Sequence, residues 1–256
     1  MRDGVVVMLD ALGFKGIWKP GPGETEEQRA TQVLQRMKRL RQAVKRFKSP
    51  EAPEGVVAIE CECISDTIVV GVWPNMEKVI APVGMVVALS ITSLLCDRSA
   101  REAPPLAYRG AVAVGGFDME DGFFLGPAVD EAAGHMEQAE GAFVWLGPSA
   151  LSFVQQIKQV VGVMAPAYAV PLKGGASFDT FAVTPWMSQD LGDQAKIAQT
   201  LLDTFDRPEL SVQIKRQNTA KFLNMALAKS HACMSRPHVP GELKRPTPPE
   251  NVPVVA

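Results

Sequence analysis

The chain has 256 residues, of which 46% are hydrophobic and 21% are charged, a balance typical of a globular protein with one large domain, or one domain and an extension. Its net charge of −2 excludes the global basic field that accompanies many nucleic-acid-binding proteins. The four cysteines lack zinc-ligand spacing, and no secretory signal opens the chain, so we expect a reducing, cytoplasmic protein.

The stretch from Val5 to Phe14 organises the rest of the chain. An apolar run leads directly into Asp10 and predicts a strand that is buried on both faces and leaves the sheet at Asp10. A carboxylate there is costly unless a metal ion or a ring of N–H donors compensates it. Gly13 lets the following turn bring backbone N–H groups close to an anion; a plain Asx-type turn is the alternative.

Two long helices are predicted on either side of a hairpin. The first begins at a capping-box-like Thr25 and carries a basic face from Arg36 onward, which is either a solvated surface or a nucleic-acid contact. The second runs from Met76 to Cys96 and has Pro82 in its first turns. Because its apolar stretch is interrupted, we expect a buried helix and no membrane span.

The hairpin between these helices carries a second carboxylate. Alternating residues over 56–64 and apolar residues over 67–73 predict two strands joined by a tight turn at Ser65-Asp66. Glu60 and Glu62 fall on one face of the first of these strands. The hairpin's nearest neighbour would be the end of the N-terminal strand, so we expect Asp10 and Asp66 to converge.

The remaining pattern predicts an α+β sandwich. Further strands and helices are expected at 108–116, 128–139, 143–146, 149–159, 168–173 and 178–183. Together with the earlier elements they predict an antiparallel-rich sheet with helices on one face, over residues 1–186. A helical extension is expected over 187–235, and a Pro-rich, disordered tail over 236–256.

Five motifs in this order resemble the class III nucleotidyl cyclase catalytic domain, which has a ferredoxin-like fold. The resemblance covers about residues 4 to 186. The motifs are Met8–Phe14 for the metal strand, Ile64-Ser65-Asp66 for the second metal aspartate, Arg109–Gly116 for the Arg-x-Gly strand, Gly126–Gly134 for a helix start, and Leu172-Lys173-Gly174 for the phosphate lysine.

The resemblance implies two-metal catalysis in a homodimer. The enzyme would join the 3′-hydroxyl of a nucleoside triphosphate to its α-phosphorus and release pyrophosphate, using Mn²⁺ or Mg²⁺. Asp10, Asp66 and the Ala11 carbonyl would hold the metals. The phosphates would be bound by Lys173 and by the N–H groups of Leu12, Gly13 and Phe14. The two sites would be shared, with Asp130 and Phe123 contributed by the partner chain.

The chain also departs from that family's pattern. The asparagine that orients the ribose falls on Asp130, and the transition-state arginine falls on Gly134, beside His135. Two roles are open for Arg109: it replaces that arginine, or it pairs with a carboxylate of the sheet. The base-selecting pair falls on Glu62 and Phe123, and a phenylalanine there favours a tighter pocket than a purine needs.

In this respect the chain is similar to the pyrimidine cyclases of the Pycsar antiphage system. The resemblance implies that UTP is the favoured substrate and CTP the second, and that the product is a second messenger read by a separate effector protein. Neither a membrane nor a nucleic acid is expected as a partner.

Three alternatives are weighed against this interpretation. The chain is an adenylate or guanylate cyclase, an inactive cyclase-like module that binds a nucleotide or a partner, or an unrelated ferredoxin-like domain that binds nucleic acid through its basic helix. The missing Asn and Arg support the inactive module. The presence of Asp10, Asp66 and Lys173 argues against it.

Overall fold

The computed structural model describes residues 1–14, 17–47, 57–75, 82–120, 122–154, 161–162 and 164–234. The strands are β1 (Arg2–Leu12), β2 (Val57–Ile64), β3 (Thr67–Pro74), β4 (Ala107–Glu120), β5 (Phe123–Leu125), β6 (Val144–Leu146), β7 (Ala167–Pro171) and β8 (Ser177–Val183). The helices are α1 (Glu26–Lys45), α2 (Pro82–Arg101), α3 (Pro127–Met136), α4 (Pro148–Val154), α5 (Leu191–Asp203) and α6 (Leu210–Met234). The predicted disordered tail, the start of the helix expected from Met76 and the end of the one expected over 149–159 lie outside the described residues.

The strands form one sheet in the order β2-β3-β1-β4-β6-β8-β7, with β5 paired to β4. Only the β4–β6 pair is parallel among these neighbours. The first six elements run strand, helix, two strands, helix, strand, and their strands lie in the order β2-β3-β1-β4, which is the split βαβ arrangement of ferredoxin-like folds. The predicted α+β class is confirmed.

Helices cover both faces of this sheet, whereas the sequence predicted them on one. Val5, Val7 and Leu9 of β1 belong to an apolar cluster that also contains buried residues of α1, α2 and α4. Val6 and Met8 point to the other side and join buried residues of α3, α5 and α6. Because side chains alternate along a strand, a strand that is apolar at every position needs cover on both sides. We call the side of Val6, Met8 and Asp10 the Asp10 face.

The C-terminal helices are part of that cover. Ile197 and Leu201 of α5 and Phe222 of α6 lie in the same apolar cluster as the sheet residues of the Asp10 face. The division of the chain at residue 186 stays a prediction.

Helix α2 behaves as a core helix. An 18-residue window of α2 has a mean hydropathy of 1.4, so by length and composition the helix could cross a membrane. However, 67% of that window is buried inside the protein. Buried residues such as Met85, Leu89 and Leu95 pack in the cluster on the side of the sheet opposite the Asp10 face. This burial accounts for the apolar composition of α2 without a lipid environment.

One residue of the predicted basic face of α1 is in the core. Arg36 is only 1% exposed, and its guanidinium lies 3.1 Å from the Glu102 carboxylate and donates to the Pro104 carbonyl oxygen. Burial lowers the pKa of Arg36, and the charge of Glu102 opposes that shift. The assignment of Arg36 to a solvated surface is therefore wrong. Position 36 falls on the same helical stripe as the buried Val33 and Leu40.

Candidate active site

Asp10 lies between two neighbouring strands. It pairs with Thr67 of β3 on one side and with Arg109 of β4 on the other. The sequence predicted that β1 leaves the sheet at Asp10, but β1 continues to Leu12. The reason is that β4 begins as early as Ala107 and supplies pairing partners for two more residues, whereas β3 begins only at Thr67. Asp10 is therefore the last residue of β1 that is paired on both sides.

Asp66 occupies the turn that joins β2 to β3. Ile64 and Thr67 form the last pair of the hairpin, and Ser65 adopts a positive φ of 56°. The Ala11 N–H donates to the Asp66 carbonyl oxygen at 3.3 Å. The backbone of Asp66 therefore adjoins the residue that follows Asp10. The Asp66 side chain is half-buried, and the Asp10 side chain is 20% exposed.

The Asp10 carboxylate forms an ion pair with Arg109. Nε and Nη2 of the guanidinium lie 2.9 and 2.8 Å from the same oxygen, Oδ2. Nη1 donates to the Glu137 carbonyl oxygen at 3.4 Å, at the end of α3. Of the two roles open for Arg109, pairing with a sheet carboxylate is thus observed, and the partner is the predicted metal ligand itself. Within the described part of the chain, Oδ1 of Asp10 accepts no hydrogen bond.

Lys173 lies close to this ion pair along the backbone. Its N–H donates to the Gln138 carbonyl oxygen at 2.9 Å, one residue after the Glu137 carbonyl that receives Arg109. Gly174 and Gly175 have φ values of +88° and +86°, which L side chains rarely adopt, and they turn the chain toward β8. The Lys173 side chain is exposed at this turn. The turn therefore reaches the end of the sheet at which Asp10 and Arg109 pair.

The predicted phosphate loop is shorter than expected. Leu12 is paired with Ala107 and belongs to β1, so only Gly13 and Phe14 follow the strand. Gly13 has a φ of +74° and is exposed, and Phe14 packs against the core on the side opposite the Asp10 face. The two N–H groups beyond the strand are those of Gly13 and Phe14.

The predicted base and ribose residues are spread over the fold. Glu62 shares the Asp10 face with Ala58 of the same strand and is paired with Val69 of β3. Phe123 is paired with Glu120, which is about 35 Å from Arg109 along β4 at ~3.3 Å per residue. Within a single chain, Phe123 and Glu62 therefore lie far apart.

Asp130 is exposed in the first turn of α3, about 10 Å along that helix from Glu137. The helix begins sharply at Gly126, whose φ is 132° and where a Cβ atom would lie 2.6 Å from the Gly116 carbonyl oxygen. His135, further along α3, contacts the Trp145 ring with a centroid separation of 5.2 Å.

The oxygen atoms at this site are of the kind that a small, hard divalent ion takes as ligands. The described residues contain no group of three or more His, Cys, Asp or Glu side chains arranged to hold a metal. Two neighbouring carboxylates with a backbone carbonyl are the set that suits Mg²⁺ or Mn²⁺, which complete their coordination with water and substrate phosphates. The Asp10, Ala11 and Asp66 oxygens are of that kind.

Comparisons with known proteins find likeness only among solved structures. No protein-family model matches the sequence, and no curated protein matches it. One similar structure is the catalytic core of a rhodopsin-guanylyl cyclase with converted specificity, in complex with ATPαS; it is 13% identical, with a TM-score of 0.46, covering 71% of this chain and 94% of that one. Another comes from adenylate cyclases of Trypanosoma brucei in their monomeric state, at 13% identity and a TM-score of 0.44, covering 71% of this chain and 89% of that one. Over that part of its length, the chain is similar to the catalytic domains of nucleotidyl cyclases.

Proposed function

We propose that this protein is a nucleotide cyclase that converts a pyrimidine nucleoside triphosphate, UTP before CTP, into its 3′,5′-cyclic monophosphate and pyrophosphate. The observation that supports this most directly is the junction of two carboxylate-bearing segments at the end of β1. There the Ala11 N–H bonds to the Asp66 backbone, and Asp10 lies beside Arg109. Arg109 donates to the Glu137 carbonyl oxygen, and the Lys173 N–H donates to the next carbonyl oxygen, that of Gln138. The turn that carries the Lys173 cation therefore lies at the same end of the sheet.

Each group has a defined task in this proposal. Asp10, Asp66 and the Ala11 carbonyl would hold Mn²⁺ or Mg²⁺, which when bound lowers the pKa of the 3′-hydroxyl and neutralises the leaving pyrophosphate. Lys173 and the N–H groups of Gly13 and Phe14 would bind the triphosphate. The 3′-hydroxyl would give up its proton to solvent water, and its oxygen would form a bond to the α-phosphorus as the bond from that phosphorus to the bridging oxygen breaks and pyrophosphate leaves. Arg109 holds Asp10 in place before the nucleotide arrives.

Glu62 is the residue proposed to select the base. It lies on the Asp10 face, two strands away from β1, and an ionised carboxylate can only accept hydrogen bonds. Uracil offers one donor at N3–H, and cytosine offers its amino group. The preference for UTP, the signalling role in antiphage defence and the separate effector protein rest on the resemblance to the Pycsar cyclases.

The direct test is to incubate the purified protein with each of the four ribonucleoside triphosphates and Mn²⁺ and to resolve the products by chromatography. We expect cyclic UMP as the main product. Turnover of ATP or GTP alone would contradict the pyrimidine preference. Binding of nucleotides with no turnover of any would favour the second candidate, an inactive nucleotide-binding module, which the missing transition-state arginine at Gly134 supports.

The distribution of site residues predicts subunit complementation. Phe123 and Asp130 belong to the half of the site that a partner chain would supply, whereas Asp66 belongs to the metal half. Mixing Asp66→Asn with Asp130→Ala chains should restore activity, to about a quarter to a half of the wild-type rate, because one of the two sites in each mixed dimer is intact.

The matched control is a mixture of Asp66→Asn with Asp10→Asn chains. Both changes fall in the metal half, so every site in a mixed dimer is damaged, and activity should stay absent. Rates are measured after subunit exchange has been demonstrated with labelled chains. Equal rates in the two mixtures would show that the site is not shared in this way.

We expect substitutions at Glu62 and Phe123 to change which nucleotide base the enzyme prefers. The double change Glu62→Lys and Phe123→Asp replaces an acceptor with a donor and relieves crowding, so kcat/KM for UTP should fall at least tenfold while the ratio of ATP to UTP turnover rises. Glu60→Lys is the control, because Glu60 lies two residues away on the same strand face. Unchanged ratios in the double variant would show that other residues read the base.

A further inference from the structure

An irregular segment, residues 137–142, links α3 to β6 and borders the proposed active site. Arg109 Nη1 donates to the first carbonyl oxygen of this segment, that of Glu137, at 3.4 Å. The Lys173 N–H donates to the next carbonyl oxygen, that of Gln138, at 2.9 Å. The two basic residues assigned to the proposed site therefore both bond to the backbone of segment 137–142.

Helix α6 fixes the other end of this segment with two side chains. Asn218 Nδ2 donates to the Glu140 carbonyl oxygen at 2.8 Å. The hydroxyl oxygen of Thr219, a fully buried residue, accepts from the Ala142 N–H at 2.8 Å. Among the residues that the structure describes, segment 137–142 forms one isolated β-bridge and belongs to no helix or strand. The two bonds from α6 therefore help to determine where its backbone lies.

We propose that Asn218 of α6 is a positioning residue for the proposed cyclase site. By holding the Glu140 carbonyl group it keeps segment 137–142 in the place where Arg109 and the Lys173 turn bond to it. The inference rests on the proposed function, because these two basic residues are the ones assigned to the triphosphate. It makes the C-terminal helix α6 a part of the catalytic unit, although α6 itself touches no reacting atom.

Asn218 is a better position for a test than Thr219. Removal of the Thr219 hydroxyl would leave the buried Ala142 N–H without a partner, a change that costs stability. Asn218 is half-buried, so a water molecule can replace its amide at the Glu140 carbonyl oxygen. We therefore expect Asn218→Ala and Asn218→Asp to fold, with segment 137–142 held less firmly. The aspartate keeps the shape of the side chain but has no donor when ionised.

The first measurement is hydrogen exchange at the Lys173 and Glu140 amides of the full chain by NMR, which requires no turnover. Both amides should exchange about five- to tenfold faster in the two Asn218 variants, a factor typical of one lost hydrogen bond. Asn224→Asp is the matched control, because it adds the same charge at an exposed position on the same helix, and it should exchange as the wild type does. Unchanged exchange in both Asn218 variants, or equal acceleration in the control, would overturn the proposal.

The second measurement is kcat at saturating nucleotide and Mn²⁺, expressed per folded molecule. It should fall about tenfold in both Asn218 variants, because small displacements of positioned groups are costly in catalysis, and should stay at the wild-type value in Asn224→Asp. A merely structural Asn218 would lower the unfolding temperature and leave this kcat unchanged, so a wild-type kcat in a folded Asn218 variant would overturn the positioning role. Absence of turnover in the wild type would contradict the proposed function instead, and the exchange rates would still decide whether α6 holds the segment.

Discussion

Asp66→Asn is expected to lower the rate of cyclic-nucleotide formation at least a hundredfold while leaving the fold intact. The substitution replaces a charged metal ligand with a neutral amide, so the proposed site loses both attraction for the ion and a coordinating oxygen of the right kind. Asp66 is half-buried in a turn, and its backbone carbonyl, which accepts from the Ala11 N–H, is kept in the variant. The loss of rate should therefore appear without a change in the thermal unfolding midpoint.

Asp10→Asn should remove activity equally but should also destabilise the protein. Its carboxylate neutralises Arg109, whose side chain is only 15% exposed, and the variant would leave that cation without its partner. The two variants thus separate catalysis from stability. Rates are measured at saturating Mn²⁺ with circular dichroism as the check on folding.

The control for both variants is Asp118→Asn. Asp118 is an exposed carboxylate far along β4 from Arg109, and it pairs with the N-terminal amine at 3.1 Å. It should retain the wild-type rate. Wild-type turnover in either Asp66→Asn or Asp10→Asn at saturating Mn²⁺ would mean that the metal assignment is wrong.

The order of elements could be predicted because it depends on local patterns. The apolar run of β1, the capping box at Thr25 and the tight turn at Ser65-Asp66 are each encoded within a few residues. The structure confirms the capping box, in which the Thr25 hydroxyl accepts from the Gln28 N–H at 3.2 Å and the Gln28 side chain accepts from the Thr25 N–H at 2.9 Å. The position of Asp66 next to the end of β1 could be predicted from the hairpin pattern alone.

The contacts that sequence reasoning missed are those between distant parts of the chain. Arg109 and Asp10 are 99 residues apart, and they meet only because of the register in which β4 pairs with β1. No local pattern sets that register before the sheet is formed. The burial of Arg36 is of the same kind, because its partner Glu102 follows the end of α2. An arginine on an otherwise apolar helical stripe was the available signal, and it indicated a buried ion pair.

The sequence did not predict that helices α5 and α6 pack on the Asp10 face, for a related reason. The apolar residues of α5 and α6 can be seen in the sequence, but an apolar stripe does not specify the surface against which it packs. The alternating β1 residues, buried on both sides, were the better evidence. A strand of this composition requires a second layer of helices, whichever helices supply it.

The Asp10–Arg109 ion pair predicts that Arg109→Met binds metal more tightly than the wild type and turns over more slowly. The guanidinium contacts Oδ2, so a cation bound to Asp10 would lie about 5 Å from it. At an effective dielectric constant of about 20, Coulomb's law gives a repulsion of about 3 kcal/mol per unit of metal charge, part of which is screened. We expect the dissociation constant for Mn²⁺, measured without nucleotide by paramagnetic resonance, to fall about tenfold.

Although the affinity for Mn²⁺ should rise in Arg109→Met, the turnover number kcat should fall. Arg109 would lose its hydrogen bonds to Oδ2 if Asp10 held a metal ion, whereas Nη1 would retain its contact with the Glu137 carbonyl oxygen. In the proposed enzyme the guanidinium would then be free to turn to the triphosphate and to serve in place of the transition-state arginine that Gly134 does not supply. Removing a cation from a phosphoryl-transfer transition state costs about 10³-fold or more in other enzymes, so kcat should fall at least a hundredfold in Arg109→Met.

Arg101→Met is the matched control for these opposite shifts. Arg101 also makes short ion pairs, with Asp97 at 2.8 Å and Asp193 at 2.6 Å, but it joins α2 to α5 and has no contact with Asp10. Its loss should lower the unfolding temperature and leave the affinity for Mn²⁺ unchanged. An Arg109 that only pairs with Asp10 would also tighten metal binding when it is removed, because the repulsion is relieved, but kcat would not fall a hundredfold. Tighter metal binding together with a lower kcat, in Arg109→Met alone, is the result that only a counter-ion released to the substrate can produce.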